Sequence, residues 1–325
     1  MRTASLLSLV IPMHNEAESL GQLFTRLATV LEPLKIPYEI VCVDDGSRDG
    51  TWDTLSLLRR TYPQLHLIRL SRNFGKEAAL TAGLAHAEGD VVIPLDADLQ
   101  DPPELIPELL QKWSEGADVV LAVRKSRPQD TWLKRHSAEA FYHLFNKLSP
   151  TKIHPNAGDF RAMDKAVVQT LSNLPETVRF MKGLYGWAGY PTAQVEYVRP
   201  ERAAGTTKFN YWKLWNFALD GIFSFSTTPL RVWMYVGLTT AFLALAYGSW
   251  LLLRTLVWGI DLPGYASLMV SVLFMGGLQL FTLGLMAEYL GRIFQEVKRR
   301  PPYVIAQQQV AKTTPSHKIS QKPQR

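Results

Sequence analysis

Apolar and polar positions divide the chain into two unlike parts. From Leu6 to Ala122, short runs rich in Val, Ile and Leu alternate with stretches whose apolar residues recur at helical spacing. The runs Leu6–Pro12, Tyr38–Val43, His66–Leu70, Asp90–Leu95 and Asp118–Ala122 predict strands. Between them, Leu20–Leu34, Asp49–Tyr62, Lys76–Ala87 and Pro103–Glu115 predict helices. Strands joined by helices of this length imply an α/β domain whose mostly parallel sheet is covered on both faces. The domain is expected to span residues 1–210. Further on the pattern changes to two near-continuous apolar stretches, Val232–Trp258 and Ala266–Phe294. Each exceeds the roughly 18–20 residues needed to cross a bilayer core. The N-terminal apolar run is too short for a signal peptide and stops at Pro12, His14, Asn15 and Glu16.

Charge placement orients these stretches. Arg231 precedes the first, and Arg292, Lys298, Arg299 and Arg300 follow the second, whereas Gly259–Tyr265 between them has Asp261 and no basic residue. The positive-inside rule then places both termini and the α/β domain in the cytoplasm, as a multi-pass protein of the inner membrane. The formal net charge is +6. Its excess gathers beside the apolar stretches and in the tail, which fits anionic lipid better than nucleic acid. Residues 211–231 mix aromatic and polar positions and read as an amphipathic juxtamembrane segment, whereas His136–Leu148 could lie in the interface or pack on the sheet. Residues 301–325, rich in Gln, Lys, Ser, Thr and Pro, read as a disordered cytoplasmic tail. The single cysteine, Cys42, excludes a disulfide framework.

Polar residues collect where the strands end, the place where open α/β sheets hold ligands. These clusters are Pro12–Glu16, Asp44–Asp49, Ser71–Lys76 and Asp96–Asp101. The first strand leads into Pro-Met-His-Asn-Glu, so the glycine-rich dinucleotide fingerprint is absent. Asp96 and Asp98 lie two apart in extended backbone and can face one cation. Hard oxygen ligands suit Mg²⁺ or Mn²⁺, although a solvated acidic turn would share the pattern. Arg199, Arg202 and Lys208 precede the membrane segments. There they could grip a lipid-borne phosphate or form an ordinary charged surface.

Several of these blocks together resemble the inverting glycosyltransferase family 2 of GT-A fold. They are Val10–Glu16, Val43–Thr51, Ser71–Glu77, Asp96–Glu104 and Gly158–Arg161, with the Arg199-x-x-Arg202-x-x-Gly205-x-x-Lys208 run after them. Within it the chain is similar to the polyprenyl-phosphate glycosyltransferases, closest to the bacterial undecaprenyl-phosphate glucosyltransferases. The resemblance implies that Pro12, Asn15, Glu16 and Asp45 bind the nucleoside of a UDP-sugar donor, with Lys76 and Asp96 also on the donor. It implies that Asp96, Asp98 and Gln100 hold a metal on the diphosphate. Asp159 matches the family's base or acceptor-positioning carboxylate. The acceptor would be a polyprenyl phosphate in the inner leaflet, and the assembly a homo-oligomer such as a tetramer. Transfer from GDP-mannose, as in dolichyl-phosphate mannose synthases, is an alternative, as is transfer of 4-formamido-arabinose.

Overall fold

The computed structural model describes residues 1–125, 146–147, 149, 151–152, 154, 156–177, 179–198, 226–258 and 264–310. Among these, β1 (Leu7–Met13), β2 (Tyr38–Asp44), β3 (Leu65–Leu70), β4 (Val91–Pro94), β5 (Val119–Arg124), β6 (Ala157–Asp164), β7 (Thr192–Tyr197) and β8 (Ile305–Gln309) form one sheet. Its order is β7-β5-β6-β4-β1-β2-β3-β8. β1 runs parallel to β2 and β4, β2 to β3, and β5 to β7. β6 returns antiparallel between β4 and β5, and β8 is antiparallel on β3.

The helices of the domain are α1 (Leu20–Leu31), α2 (Thr51–Thr61), α3 (Lys76–Ala85), α4 (Ile106–Ser114), α5 (Lys165–Ser172) and α6 (Met181–Ala188). Alternation along the central strands splits the interior into two cores. Leu7, Leu9, Ile11, Ile40 and Cys42 face α1, α2 and α4, while Val10, Val41 and Val43 face α3, α5 and α6. Each such side chain, fully withdrawn from water, contributes roughly 1.5–3 kcal/mol. Gly83 lets α3 lie close on the sheet, since a Cβ there would sit 2.2 Å from Val10 Cγ1.

Two long helices follow, α7 (Thr228–Trp258) and α8 (Tyr265–Val297). Their 31 and 33 residues correspond to about 45–50 Å at 1.5 Å per residue, enough to cross a bilayer core of about 30 Å. Their apolar side chains point outward: Leu245 is 71% exposed, Leu256 76% and Leu280 72%. The domain holds the C-terminal end of α8 through Glu296, whose carboxylate oxygens accept the Thr177 amide at 3.1 and 3.0 Å. Beyond α8, Arg299 adopts a positive φ of 47° and the chain turns back toward the sheet.

That return corrects the expectation of disorder from residue 301. Tyr303 and Ile305 pack against the α3-side core, and residues 305–309 complete the sheet edge that β3 would otherwise leave open. Arg59 secures the strand, donating to Gln309 Oε1 and to the Val310 carbonyl. The remainder of the expected tail, residues 311–325, lies outside the described residues. So do most of the segment 211–231 and most of His136–Leu148.

Candidate active site

The loops after β1, β2 and β3 are stitched to one another before any ligand is considered. His14 Nδ1 donates to the Asp45 carbonyl at 2.8 Å, and its Nε2 lies 3.0 Å from Asn73 Nδ2 and 3.2 Å from Asn15 Nδ2. Asn15, at φ 57°, receives the Arg48 amide on Oδ1 at 3.0 Å and gives its own amide to Ser47 Oγ at 2.9 Å. Gly46, at φ 63°, is required by contact, because a Cβ would fall 2.5 Å from the Arg72 carbonyl carbon. Together with Arg69, Leu70, Ser71, Ala306 and Gln307, these loops surround a cavity of about 600 Å³.

Of the expected nucleoside contacts, Asn15 lines this cavity, Pro12 lies near the end of β1, and Glu16 lies in the loop that follows it. Asp45 is held within the protein. Its oxygens accept the Phe74 and Gly75 amides at 2.7 and 2.9 Å, and the residue is 3% exposed. It therefore fastens the loop that leads into α3. His14, which the sequence reading placed in the β1-end cluster without a role, is the junction of the three loops.

Lys76, at the first turn of α3, joins the two acidic positions. Its ammonium lies 2.7 Å from Asp96 Oδ1 and 2.8 Å from Asp159 Oδ2. Burial opposes the lysine's charge, but Asp159 and Asp96 hold it protonated well above the ordinary lysine range. Burial likewise opposes the charge on Asp159. Lys76, Lys182 and Arg161 overcome it and keep that carboxyl well below the usual carboxylate range. Asp159 Oδ1 is buried without a hydrogen-bond partner among the described residues. Glu77 is pushed up to about 7 by burial, with Asp159 adding to the effect.

The residues after β4 suit a hard cation. Asp96, Asp98 and Gln100 offer oxygen donors, and Gln100 Oε1 is buried without a hydrogen-bond partner among the described residues. Asp98 Oδ1 accepts the Gln100 amide at 3.2 Å. No group of three or more His, Cys, Asp or Glu among the described residues could hold a metal by itself. A cation here would take Gln100 and oxygens of a bound ligand into its shell. The loop is braced by Asp101, which accepts the Tyr197 hydroxyl at 2.8 Å; that hydroxyl also receives Arg124 Nε at 3.2 Å. Burial first, and then Asp101, pushes Tyr197 up to about 12.

Two cations, Arg161 buried and Arg124 half-buried, were given no role in the sequence reading. Arg124 ends β5 beside Asp101, and Arg161 lies over the Tyr185 ring at 3.7 Å while donating to the Gly158 carbonyl. The Gly-Asp-Phe-Arg pattern was the available signal for Arg161, but its partner comes from α6, far along the chain. Arg199, Arg202 and Lys208, the expected acceptor-phosphate residues, lie outside the described residues.

Residues 8–172 match the profile of "Glycosyl transferase family 2", and residues 228–293 match the "GtrB C-terminal hairpin". The chain is 56% identical to an uncharacterised glycosyltransferase of Synechocystis sp., over 92% of this chain and 94% of that protein. It is 52% identical to the SfII prophage-derived bactoprenol glucosyl transferase of Shigella flexneri, over 92% and 97% respectively. Among solved structures it is similar to a mannosyltransferase from Pyrobaculum calidifontis in complex with GDP-Man and Mn²⁺. That match has 18% identity and a TM-score of 0.46, covering 91% of this chain and 88% of that one.

Proposed function

The chain belongs to glycosyltransferase family 2, of GT-A fold, and from that premise we propose that it transfers glucose from UDP-glucose to undecaprenyl phosphate. The product is a β-linked undecaprenyl-phosphate-glucose, formed with inversion at the anomeric carbon. The observation that carries this reading is Lys76 bridging Asp96 and Asp159. In this reading the donor-side carboxylate Asp96 and the acceptor-side carboxylate Asp159 lie within reach of one ammonium, and the cavity of nucleoside size lies farther along the same strand ends.

In the transfer, an acceptor phosphate oxygen forms a bond to C1 of the sugar. The bond from C1 to the diphosphate breaks, and its electron pair leaves with UDP. A phosphate monoester has a second pKa near 6, so the nucleophile needs no strong base. Asp159, held ionised among cations and far below neutrality, is a weak proton acceptor. Its role is to hold the acceptor side of the site, orienting a neighbouring cation toward the phosphate. A Mg²⁺ or Mn²⁺ held by Asp96, Asp98 and Gln100 would neutralise the leaving diphosphate. Lys76 supplies fixed positive charge at the same place and Arg124 lies near, an arrangement suited to two converging anions.

Membrane placement supports a lipid-borne acceptor. β8 follows α8 and joins the same sheet that precedes α7, so both ends of the helical pair sit on the side of the domain. With the basic residues at those ends, this favours a cytoplasmic domain and termini next to an anionic leaflet. Cβ atoms at Gly276, Gly277 and Gly284 of α8 would meet nothing within 4 Å. That leaves those positions open to another copy, consistent with a homo-oligomer such as a tetramer. A panel of labelled UDP- and GDP-sugars with undecaprenyl phosphate tests the assignment. Preference for GDP-mannose would move it to the mannose synthase alternative, and preference for UDP-4-formamido-arabinose to the pentose alternative.

A further inference from the structure

The cavity between the β1, β2 and β3 loops has a wall that comes from the far end of the chain. Ala306 and Gln307, downstream of α8, line it together with His14, Asn15, Ser47 and Arg48. Pairing between β3 and β8 is regular from Leu67↔Gln309 to Arg69↔Gln307 and then shifts, with Leu70 opposite Ile305. Ala306 is therefore the extra residue of a bulge, placed where the strand borders the cavity. Bulges bend a strand and re-aim its side chains, and they recur beside binding sites. Pairing resumes past the bulge, where the Ser71 amide donates to the Val304 carbonyl at 2.9 Å. Arg59, and Gln308 at 2.9 Å from His66 Nε2, hold the other end. The strand is thus fixed on both sides of the two residues that face the cavity.

Position along the sheet says which part of a ligand this wall meets. Asp96 follows β4, and β3 lies three strands away across β1 and β2, about 14 Å at roughly 4.8 Å per strand. A donor whose phosphates lie at Asp96 presents its nucleoside to this cavity. A primary amide donates and accepts at once, as the edge of a pyrimidine base does. Ala306, with one carbon in its side chain, leaves room for the ligand.

Resting on the donor reading above, we infer that β8 is a wall of the nucleoside pocket and that Gln307 hydrogen-bonds the donor's nucleoside. The membrane helix pair thereby delivers part of the donor site as well as anchoring the domain.

The test uses the full-length protein in detergent, with UDP, UMP and pyrophosphate titrated calorimetrically in the presence of Mn²⁺. Gln307→Ala should weaken UDP and UMP alike by about 3- to 10-fold, the size of one neutral hydrogen bond, and leave pyrophosphate unchanged. Ala306→Trp, which fills the cavity, should weaken UDP by more than about 10-fold. Both variants should melt near the wild type, because both side chains are exposed at a sheet edge. In steady-state assays the donor KM should rise while the acceptor KM holds. Unchanged UDP affinity in both variants, or an equal loss for pyrophosphate, would overturn this inference and leave the donor reading intact. Failure of the wild type to bind either UDP or GDP would overturn both.

Discussion

The sheet interior and the helical pair use the same residues to opposite ends. Leu7, Leu9 and Ile11 are fully buried, whereas Leu245, Leu256 and Leu280 on α7 and α8 are more than two-thirds exposed. Burial of these strand residues is complete because helices cover both faces of the sheet. On the two long helices little among the described residues covers the leucines, and the contact between the helices includes Trp233 and Phe281, ring centroids 4.3 Å apart. Both helices are long and apolar enough to cross a bilayer, which would supply that cover. Polar chemistry follows the same division. It is concentrated at the strand ends of the domain and is nearly absent from the helical pair, which separates the reaction from its anchorage.

That separation can be broken from either side. Asp98→Asn should remove a cation ligand and lower kcat by about 10³-fold, in keeping with the several kcal/mol that a metal supplies. Membrane association should be unchanged on flotation with liposomes, and the melting temperature nearly so. Chelation with EDTA should abolish transfer and added Mg²⁺ or Mn²⁺ restore it. Full activity in excess chelator would remove the metal from the account.

The reciprocal variant is Leu245→Arg, which places a charge near the middle of α7. It should cost about 2.5–3.5 kcal/mol of insertion free energy and shift protein from membrane to aggregate or soluble fractions. UDP binding by the protein that remains folded should stay within about twofold. Loss of UDP binding together with insertion would show that anchorage and donor site are not separable as described.

Asp159→Asn removes the charge beside Lys76 while keeping the shape. It should reduce kcat by about 10²-fold, the range of one lost charge-assisted stabilising contact of roughly 3 kcal/mol, with UDP affinity nearly intact. The pH profile distinguishes its roles. A positioning carboxylate leaves the residual activity with the same acidic limb as the wild type, and a general base would remove that limb.

A smaller effect tests the buried acid next to Lys76. Glu77 keeps its proton up to about pH 7 in the fold, against an ordinary 4.5. Between those values the folded state binds more protons than the unfolded chain, so stability declines as pH rises through that window. Glu77→Gln keeps an acceptor for the Met181 amide, which Glu77 Oε2 receives at 3.2 Å. It should flatten the fall in melting temperature between about pH 5 and 7. An unchanged slope would assign the decline to other groups.

The parts legible in the sequence were those written locally. Each central strand announces itself as an apolar run, and each acidic or asparagine cluster sits within a few residues of its end, so Asn15, Asp96, Asp98 and Gln100 could be placed. Contacts between distant segments were not legible. The role of Asp45 in fastening the α3 loop was hidden, because nothing local shows that the Phe74 and Gly75 amides take its oxygens. β6 runs against its neighbours, and its polar residues interrupt the apolar pattern that marks a strand. β8 hides in a segment whose glutamines and preceding prolines read as disorder, and its order derives from the open edge of β3 and from Arg59. Lys76 was placed at a strand-end cluster, but its bridge between Asp96 and Asp159 depends on the antiparallel return of β6.

The central claim is the proposed transfer of glucose from a UDP donor to a lipid-borne phosphate at the site that Lys76 joins. The direct measurement incubates purified full-length protein with UDP-[¹⁴C]glucose, undecaprenyl phosphate and Mn²⁺, followed by lipid extraction and determination of the anomeric configuration. The account predicts a labelled lipid that releases glucose on mild acid hydrolysis, β-linked and dependent on both substrates and the metal. No labelled lipid from UDP-glucose, or an α-linked product, would contradict it.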